Sequence, residues 1–516
     1  MQKRMVGKAV VVILLLSIST AVVNLHDGES HETQFQRSES YPIATFNYTG
    51  DITGYSAPDS SYKAFNQLLN SVHDTLTISV YEFQNIHLAR SISNLSEDGI
   101  DVRLLVESAP VGGTSKQEKY CLSIMNSSGV KLKSTDSKDF EYSYLHSKYI
   151  VADNRYVLIS SENFGYTGYP LENTNGNRGW GVIVEDKDTA NYYGHLFNHD
   201  WNNSKWMAIN YQSSIKVELN KGGYSPEFDL NTINGNIKPT PVICPDHSLS
   251  NYSILRMIRN AEHSIYIQQF YIDDWKQNPY VEAVIEAAER GCEVKILLDS
   301  TWYNILEDEK DNDDFVEYIN NYSKNNDLKM EGRLVNRYHG LSKSHNKGMV
   351  IDGKKVLISS INWNLHSINN NREVGIIVES RDTATFFNEI FLHDWKKDLI
   401  KPIPEAGPDK TVSVGQKTTF DGSHSWDDND IVSYHWDFDG DGSYDKEGKY
   451  VNYTFDEEGE YEVSLKVKDQ KGHESIDEAL VKVEKNKDSK PKIYYSLVLI
   501  PIVFSIGLVY LKKLKR

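Results

Sequence analysis

Residues 146–153 read His-Ser-Lys-Tyr-Ile-Val-Ala-Asp, and residues 345–352 read His-Asn-Lys-Gly-Met-Val-Ile-Asp. Each segment combines His-x-Lys with an Asp five residues after the Lys, and each leads into a β-rich stretch ending in Ser-Ser-x-Asn. Side chains alternate along a strand, so the His and the Lys of one segment share a face. Each segment is therefore predicted to be the first strand of a β-hairpin with polar side chains at one end.

The predicted hairpin turns lie at Asp153-Asn154 and Asp352-Gly353, which are favourable turn dipeptides. Folding back at these turns places the Ser and Asn side chains beside the His and Lys of the same hairpin. The residues added in this way are Ser161, Asn163, Ser360 and Asn362. Asp153 and Asp352 lie at the turn, away from the His end, and are predicted to be structural.

The two hairpins belong to a longer duplication. Residues 183–201 and 377–395 match in register, and both end in His-Asp-Trp. In each copy, apolar runs typical of strands alternate with helical stretches, which favours an α/β architecture. Two such copies packed about a pseudo-twofold axis would bring their hairpin ends to one shared site.

That site would hold two imidazoles, two ammonium groups and two Ser/Asn pairs. Lys148 and Lys347, with the hydroxyl and amide groups, suit the non-bridging oxygens of a phosphodiester. One of His146 and His345 can attack phosphorus while the other protonates the leaving alcohol, because imidazole titrates near neutrality. The predicted reaction is phosphodiester cleavage without a metal or another cofactor.

These paired segments resemble the two HKD motifs of the phospholipase D superfamily, and the resemblance covers about residues 46–400. It implies a covalent phosphohistidine intermediate and an acidic residue that orients a histidine. Glu373 of Asn371-Arg372-Glu373 fits that acid, whereas the first copy has Gly179 at the matching position. The first copy is therefore expected to lack the acid, and His146 is favoured as the nucleophile with the acid reaching across the interface.

Weaker candidates surround this set. Arg178 and Arg372 are predicted either to bind phosphate or to be surface charges. The stretch 164–176 is longer than its counterpart in the second copy and is rich in Gly, Asn and Tyr. Tyr166 and Tyr169 are predicted to form one lip of the cleft and to contact the group attached to the phosphate.

The remaining chain predicts a surface protein. An apolar run follows Lys3, Arg4 and Lys8, as in a signal peptide, with an uncleaved anchor as the alternative. Residues 401–486 resemble a PKD domain, an Ig-like β-sandwich, and an uncharged segment before the basic tail has the length of a membrane helix. The predicted organisation is a signal peptide over 1–23, a linker over 24–45, a first phospholipase D-like copy over 46–215, a linker over 216–240, a second copy over 241–400, the PKD-like domain over 401–486, a transmembrane helix over 493–511 and a cytoplasmic tail over 512–516.

The substrate is not fixed by these features. A phospholipid is favoured because the chain is predicted to be membrane-anchored with its bulk outside the cell and its C-terminal tail in the cytoplasm. A nuclease is the alternative, although the net charge of −18 disfavours general nucleic-acid binding. A weakly catalytic adhesion protein is a further alternative. Both copies lie in one chain, which predicts a monomeric active unit. In the PKD-like part, Asp437, Asp439, Asp441 and Asp445 are spaced like part of a calcium loop.

Overall fold

The computed structural model describes residues 41–136, 138–209, 215, 223–301, 304, 311–336, 340–397, 401–427 and 430–485. The elements below belong to the compact unit that begins at Ile43. The predicted signal peptide, transmembrane helix and cytoplasmic tail lie outside the described residues. Within the described ranges, no helix is both long and apolar enough to cross a membrane.

The first half of the fold is a mixed sheet with helices packed on it. Its strands are β1 (Tyr48–Ala57), β2 (Thr75–Val80), β3 (Asp101–Val106), β4 (Lys131–Ser134), β5 (Lys148–Ala152), β6 (Tyr156–Ser160), β7 (Gly176–Glu185) and β8 (Lys205–Trp206). Its helices are α1 (Ser61–Leu69), α2 (Ile86–Glu97), α3 (Lys116–Ser127) and α4 (Lys187–Asn202). Strands β2, β3 and β4 are parallel, because helices connect them, whereas β5, β6 and β7 form an antiparallel meander.

The second half repeats this arrangement. Its strands are β9 (Asn231–Cys244), β10 (Ser264–Gln269), β11 (Glu293–Leu298), β12 (Met330–Leu334), β13 (Leu341–Ser344), β14 (Lys347–Ile351), β15 (Lys355–Ser359) and β16 (Glu373–Glu379). Its helices are α5 (Ile254–Arg259), α6 (Pro279–Glu289), α7 (Asn312–Asn326), α8 (Leu365–Asn370) and α9 (Arg381–Lys397). The predicted α/β duplication is therefore present in the structure.

Local sequence explains why equivalent helices begin where they do. The Asn85 side chain accepts hydrogen bonds from the backbone N–H groups of His87 and Leu88 and so caps α2. Asn278 caps α6 by accepting from Tyr280 N–H, and Pro279 occupies the first turn. Each helix then buries one apolar face against its sheet, which gives each half its own hydrophobic core.

The two halves share one continuous sheet, with β1 and β9 at its centre. The first part of β9 pairs with β1 in antiparallel register, including Ile52 opposite Ile233, and the rest of β9 pairs with β16. The predicted linker over 216–240 is thus wrong for its last part, because residues 231–240 are strand. The Asn, Gly and Pro residues of this segment, which are depleted in strands, hid the strand in the sequence.

The C-terminal part is a small β domain with two sheets, ordered β17-β23-β22-β19-β20 and β18-β21. Its strands are β17 (Lys410–Ser413), β18 (Lys417–Asp421), β19 (Ile431–Asp437), β20 (Lys446–Glu447), β21 (Tyr450–Thr454), β22 (Gly459–Asp469) and β23 (Glu474–Glu484). The inward-facing residues Phe420, Trp436 and Phe438 pack at its centre. The sandwich that the short alternating runs predicted is present here.

Candidate active site

Both histidines lie just before the first strand of their hairpins. The backbone N–H of His146 donates to the carbonyl of Arg372 at 2.9 Å, and the N–H of His345 donates to the carbonyl of Arg178 at 2.9 Å. Each histidine segment is therefore hydrogen-bonded to the other half of the fold. This reciprocal pairing brings the two His-x-Lys segments to one shared site, as the duplication predicted.

The two lysines are buried beside their own histidines. Lys148 Nζ donates to the carbonyl of His146 at 2.6 Å, and Lys347 Nζ donates to the carbonyl of His345 at 2.6 Å. Burial lowers the pKa of Lys148 to about 8, and burial also lowers the pKa of Lys347. A bound anion would raise the pKa of both groups, because an opposite charge favours the protonated form.

His146 is held by a carboxylate from the second half. Its Nδ1 lies 2.9 Å and 2.8 Å from the two carboxylate oxygens of Glu373. Glu373 is itself fixed, since Ser360 Oγ donates to it at 2.6 Å and Asn371 Nδ2 at 3.2 Å. The sequence predicted Glu373 as the orienting acid, and the structure places it across the interface against His146.

His345 faces a different carboxylate. Its Nδ1 lies 3.4 Å from Oε1 of Glu162, whose other oxygen accepts from Asn177 Nδ2 at 2.9 Å. The expectation that the first copy lacks an acid is wrong, because Glu162 fills that place. The available signal was the variable position of Ser-Ser-x-Asn, which is Glu162 in the first copy and Ile361 in the second.

Two aromatic rings line the site, and neither was predicted from the sequence. The Tyr81 ring meets His146 edge-on at 4.9 Å between centroids, and the Phe270 ring meets His345 in the same way at 4.8 Å. The lysines lie over the same rings, with Lys148 Nζ 5.4 Å from Tyr81 and Lys347 Nζ 5.0 Å from Phe270. Both rings directly follow a parallel strand, β2 or β10, so the duplication contains a usable signal.

Burial also sets the protonation of the histidines. It lowers the pKa of His146 to about 4, against the opposing effect of Glu373. Burial and the nearby lysines also lower the pKa of His345 well below its ordinary value. Both imidazoles are therefore neutral near pH 7 in the free protein, and each has one ring nitrogen that can act as a nucleophile or base.

Three of the four Ser and Asn residues that were predicted to bind phosphate, Ser161, Asn163 and Ser360, have hydrogen-bond partners within the protein, and the part of Asn362 stays a prediction. Ser360 donates its hydroxyl to Glu373, and Ser161 Oγ accepts from the Trp180 backbone N–H at 3.0 Å. Asn163 Nδ2 donates to Glu82 at 3.0 Å, while Asn362 lies buried at the equivalent position. Ser360 thus holds the acid, and the two serines are fully buried.

Arg178 and Arg372 were predicted either to bind phosphate or to be surface charges, and both alternatives are wrong because both guanidinium groups are buried in ion pairs. Arg178 Nε lies 2.7 Å from Asp394 and its Nη1 contacts Asp59. Arg372 Nε lies 3.0 Å from Asp200. Asp200 and Asp394 are the Asp residues of the repeated His-Asp-Trp, so this repeat supplies each half with an anion for the arginine of the other.

The prediction that Tyr166 and Tyr169 form one lip of the cleft is also wrong. Tyr169 is fully buried, and its hydroxyl is 3.0 Å from the hydroxyl of Tyr55. Tyr166 is buried as well, with its hydroxyl accepting from the Ile86 N–H at 3.0 Å. Both rings belong to the core of the first half. The aromatic content of 164–176 therefore reflects packing, and the sequence could not distinguish it from a binding surface.

Asp153 and Asp352 lie at the hairpin turns, with φ of 53° and 55°. The carboxylate of Asp153 accepts from three consecutive backbone N–H groups at the start of β2, and Asp352 does the same at the start of β10. Each motif aspartate therefore ties the turn of its hairpin to the start of the neighbouring strand, away from the histidines.

The acidic turn of the C-terminal domain brings three carboxylates together. Asp437, Asp439 and Asp441 each offer an oxygen, and these oxygens lie within 4.8 Å of one another. Asp445 is not in this group, and its carboxylate accepts from the Phe438 N–H at 2.7 Å. Calcium binding at this turn stays a prediction.

Comparison with known proteins identifies the class. Residues 65–201 and 254–395 match the family described as "Cardiolipin synthase, PLD-like domain", and residues 400–483 match the PKD domain. The chain belongs to the phospholipase D-like family, and it is a phosphodiesterase of that superfamily with a C-terminal PKD domain.

Individual relatives resemble parts of the chain. A protein named phospholipase D from Rickettsia felis is 27% identical over 215 residues, which are 37% of this chain and 94% of the relative. The mitochondrial cardiolipin hydrolase of Mus musculus is 25% identical over 31% of this chain and 66% of its own length. A phosphatidylserine synthase structure from Haemophilus influenzae has a TM-score of 0.49 and 12% identity, over 66% of this chain and 86% of the other.

Proposed function

We propose that this protein cleaves phospholipid phosphodiesters, by hydrolysis or headgroup transfer, through a phosphohistidine intermediate and without a metal. One observation carries the proposal: two His/Lys pairs face one site, and each histidine has a buried carboxylate at its Nδ1. Both carboxylates face a histidine Nδ1 and two lysines stand beside them, whereas a metal-dependent phosphodiesterase arranges its carboxylates around an open metal position.

His146 is the proposed nucleophile. Its Nδ1 is hydrogen-bonded to Glu373, which fixes the proton on Nδ1 and leaves the Nε2 lone pair for attack. Nε2 bonds to phosphorus and the bond between phosphorus and the leaving oxygen breaks. His345, which takes up a proton on Nε2 when the anionic substrate binds, donates that proton to the leaving oxygen. Water or an alcohol then attacks the phosphohistidine and gives its proton to His345, which restores both histidines.

The choice of lipid rests on chemistry and on the relatives. Two relatives bear the names phospholipase D and mitochondrial cardiolipin hydrolase. The uncharged segment at 493–511 would tether the enzyme to a membrane, with the catalytic part outside the cell. The net charge of −18 disfavours a nucleic-acid substrate, whose phosphates attract cationic surfaces.

The test compares three substrates in excess EDTA: mixed phospholipid vesicles, single-stranded DNA and a bis-aryl phosphodiester. Release of headgroup from vesicles, with activity retained in chelator, is the expected result, and added primary alcohol should divert product to the transferred lipid. Cleavage of DNA with no action on vesicles would favour the nuclease alternative. Loss of most activity in EDTA would contradict the metal-free mechanism, and inactivity on all three would favour an adhesion protein.

A further inference from the structure

The two copies carry their acidic residue at different positions. In the second copy, Ser-Ser-x-Asn contains Ile361 and the acid follows Asn-Arg as Glu373. In the first copy, Ser-Ser-x-Asn contains Glu162 and the residue after Asn-Arg is Gly179. Each copy thus retains one carboxylate in these two neighbouring segments, but on different segments.

The space around Gly179 shows that one carboxylate replaces the other. A Cβ placed on Gly179 would lie 2.4 Å from Oε1 and 2.5 Å from Cγ of Glu162. The backbone of Gly179 does not have a positive φ, so its conformation would accept an L side chain. The absence of a side chain at 179 is therefore what lets the Glu162 side chain enter this space.

The atoms at the end of Glu162 face an unsatisfied partner. Among the described residues, His345 Nδ1 and Glu162 Oε1 are both buried and neither has a hydrogen-bond partner. They lie 3.4 Å apart. A buried polar atom without a partner is costly, so two such atoms facing each other define one incomplete interaction, which a small rotation of either side chain would complete.

We propose that Glu162 is the positioning residue of His345 and replaces the carboxylate that Gly179 cannot supply. Each acid then serves the histidine of the other copy: Glu162 of the first copy serves His345, and Glu373 of the second serves His146. The catalytic part of this proposal rests on the proposed function, because it assigns Glu162 to the histidine that exchanges protons with the leaving group and the incoming water.

The chemistry at His345 explains why a carboxylate is useful there. Accepting the Nδ1 proton fixes the tautomer and aims Nε2 at the reacting oxygen, and the negative charge stabilises the imidazolium that forms during turnover. The other charged or titratable groups that act on His345 are Lys347, Lys343, Lys148 and His146, and all of them disfavour its protonation. Glu162 opposes them, and Asn177 holds its second oxygen.

The first experiment is Glu162→Gln in the full chain, assayed on the bis-aryl phosphodiester. We expect kcat to fall about 10- to 100-fold, part of the 10²–10⁴ that general acid–base catalysis contributes. The alkaline limb of the kcat profile should move to lower pH, because the imidazolium of His345 loses its counter-charge. Glu118→Gln is the matched control: Glu118 is a buried carboxyl of the same copy, and burial raises its pKa to about 8.

The second experiment exchanges the positions. Glu162→Ala should lose activity. Gly179→Glu alone should be destabilised, because the new side chain would clash with Glu162. The double variant Glu162→Ala/Gly179→Glu should have a kcat at least about tenfold higher than that of Glu162→Ala. The tautomer of His345, read from imidazole ¹⁵N shifts, should lose its preference for Nδ1–H in Glu162→Ala and regain it in the double variant. A role confined to folding would not restore the tautomer.

The proposal is overturned if Glu162→Gln keeps the wild-type kcat and pH profile. It is equally overturned if the folded double variant regains neither activity nor the tautomer. The ¹⁵N measurement needs no substrate, so its result separates this proposal from the proposed function. Wild-type protein that cleaves no phosphodiester would refute the function, while the tautomer would still decide whether Glu162 positions His345.

Discussion

At the residue scale, His146 and His345 occupy equivalent positions but differ in how firmly a carboxylate holds them. His146 Nδ1 is hydrogen-bonded to Glu373 at 2.8 Å, whereas His345 Nδ1 is 3.4 Å from Glu162. A nucleophile benefits from a fixed orientation, while a group that accepts and donates protons during turnover benefits from a partner that tightens as charge forms. This difference agrees with His146 as the nucleophile and His345 as the acid.

This division of roles predicts strongly non-additive variants. His146→Ala and His345→Ala should each lose activity on the order of 10³-fold or more, as much as the double variant, because the two residues act as one unit. Single-turnover reactions quenched by denaturant should trap phosphate on His146 alone. Near-normal turnover by either single variant, or an adduct on His345, would contradict the assignment.

The buried histidines should also make stability depend on pH. The pKa of His146 is about 4 in the folded protein, against about 6.5 in an unfolded chain. The unfolded state therefore binds the proton first, so acidification from about pH 6.5 to 4 favours unfolding by about 1.4 kcal/mol per pH unit at most. The free energy of unfolding of wild type and of His146→Asn should be measured in urea at several pH values. As the pH falls from about 6.5 to 4, the wild type should lose stability relative to His146→Asn. His195→Asn is the matched control, because His195 is exposed. Parallel plots of unfolding free energy against pH for wild type and His146→Asn would contradict the expectation.

At the scale of elements, helix α9 and strand β7 are joined by the ion pair of Asp394 and Arg178, and α4 meets the start of β16 through Asp200 and Arg372. All four side chains are buried. Breaking a buried pair leaves an uncompensated charge, whereas an exposed pair contributes little. These two reciprocal ion pairs therefore hold the halves in the register that the shared site requires.

Arg178→Met should lower the free energy of unfolding by about 3–5 kcal/mol, because it leaves Asp59 and Asp394 buried without their cation. KM for a minimal phosphodiester should change little in the fraction that stays folded. Arg155→Met breaks the exposed pair with Glu185 and should leave stability nearly unchanged. Wild-type stability of Arg178→Met together with a raised KM would return Arg178 to the role of a phosphate-binding residue.

At the scale of the whole molecule, the duplicated halves form one sheet and one site within a single chain. The central pairing of β1 with β9 and the cross-hydrogen-bonded histidine segments give the site both of its histidines without a second copy. We therefore expect specific activity to be independent of protein concentration over a wide dilution series, with sedimentation reporting the monomer. Activity that falls on dilution in step with dissociation of an oligomer would contradict this expectation.

Short segments of the sequence were enough to predict the duplicated fold and the central residues of the site. The alternation in 146–153 and 345–352, the turn dipeptides and the repeated elements predicted two α/β copies with His146, Lys148, His345 and Lys347 at a shared site. These features are local, and each of them occurs in both copies. The remaining features depend on contacts between segments that are distant in the sequence, and the folded structure was needed to reveal them: Glu162 with His345, Arg178 with Asp394, and Tyr169 with Tyr55. A charge or an aromatic ring has the same appearance in a sequence whether it lines a cleft or lies in the core, and only the packing of the two halves distinguishes these cases.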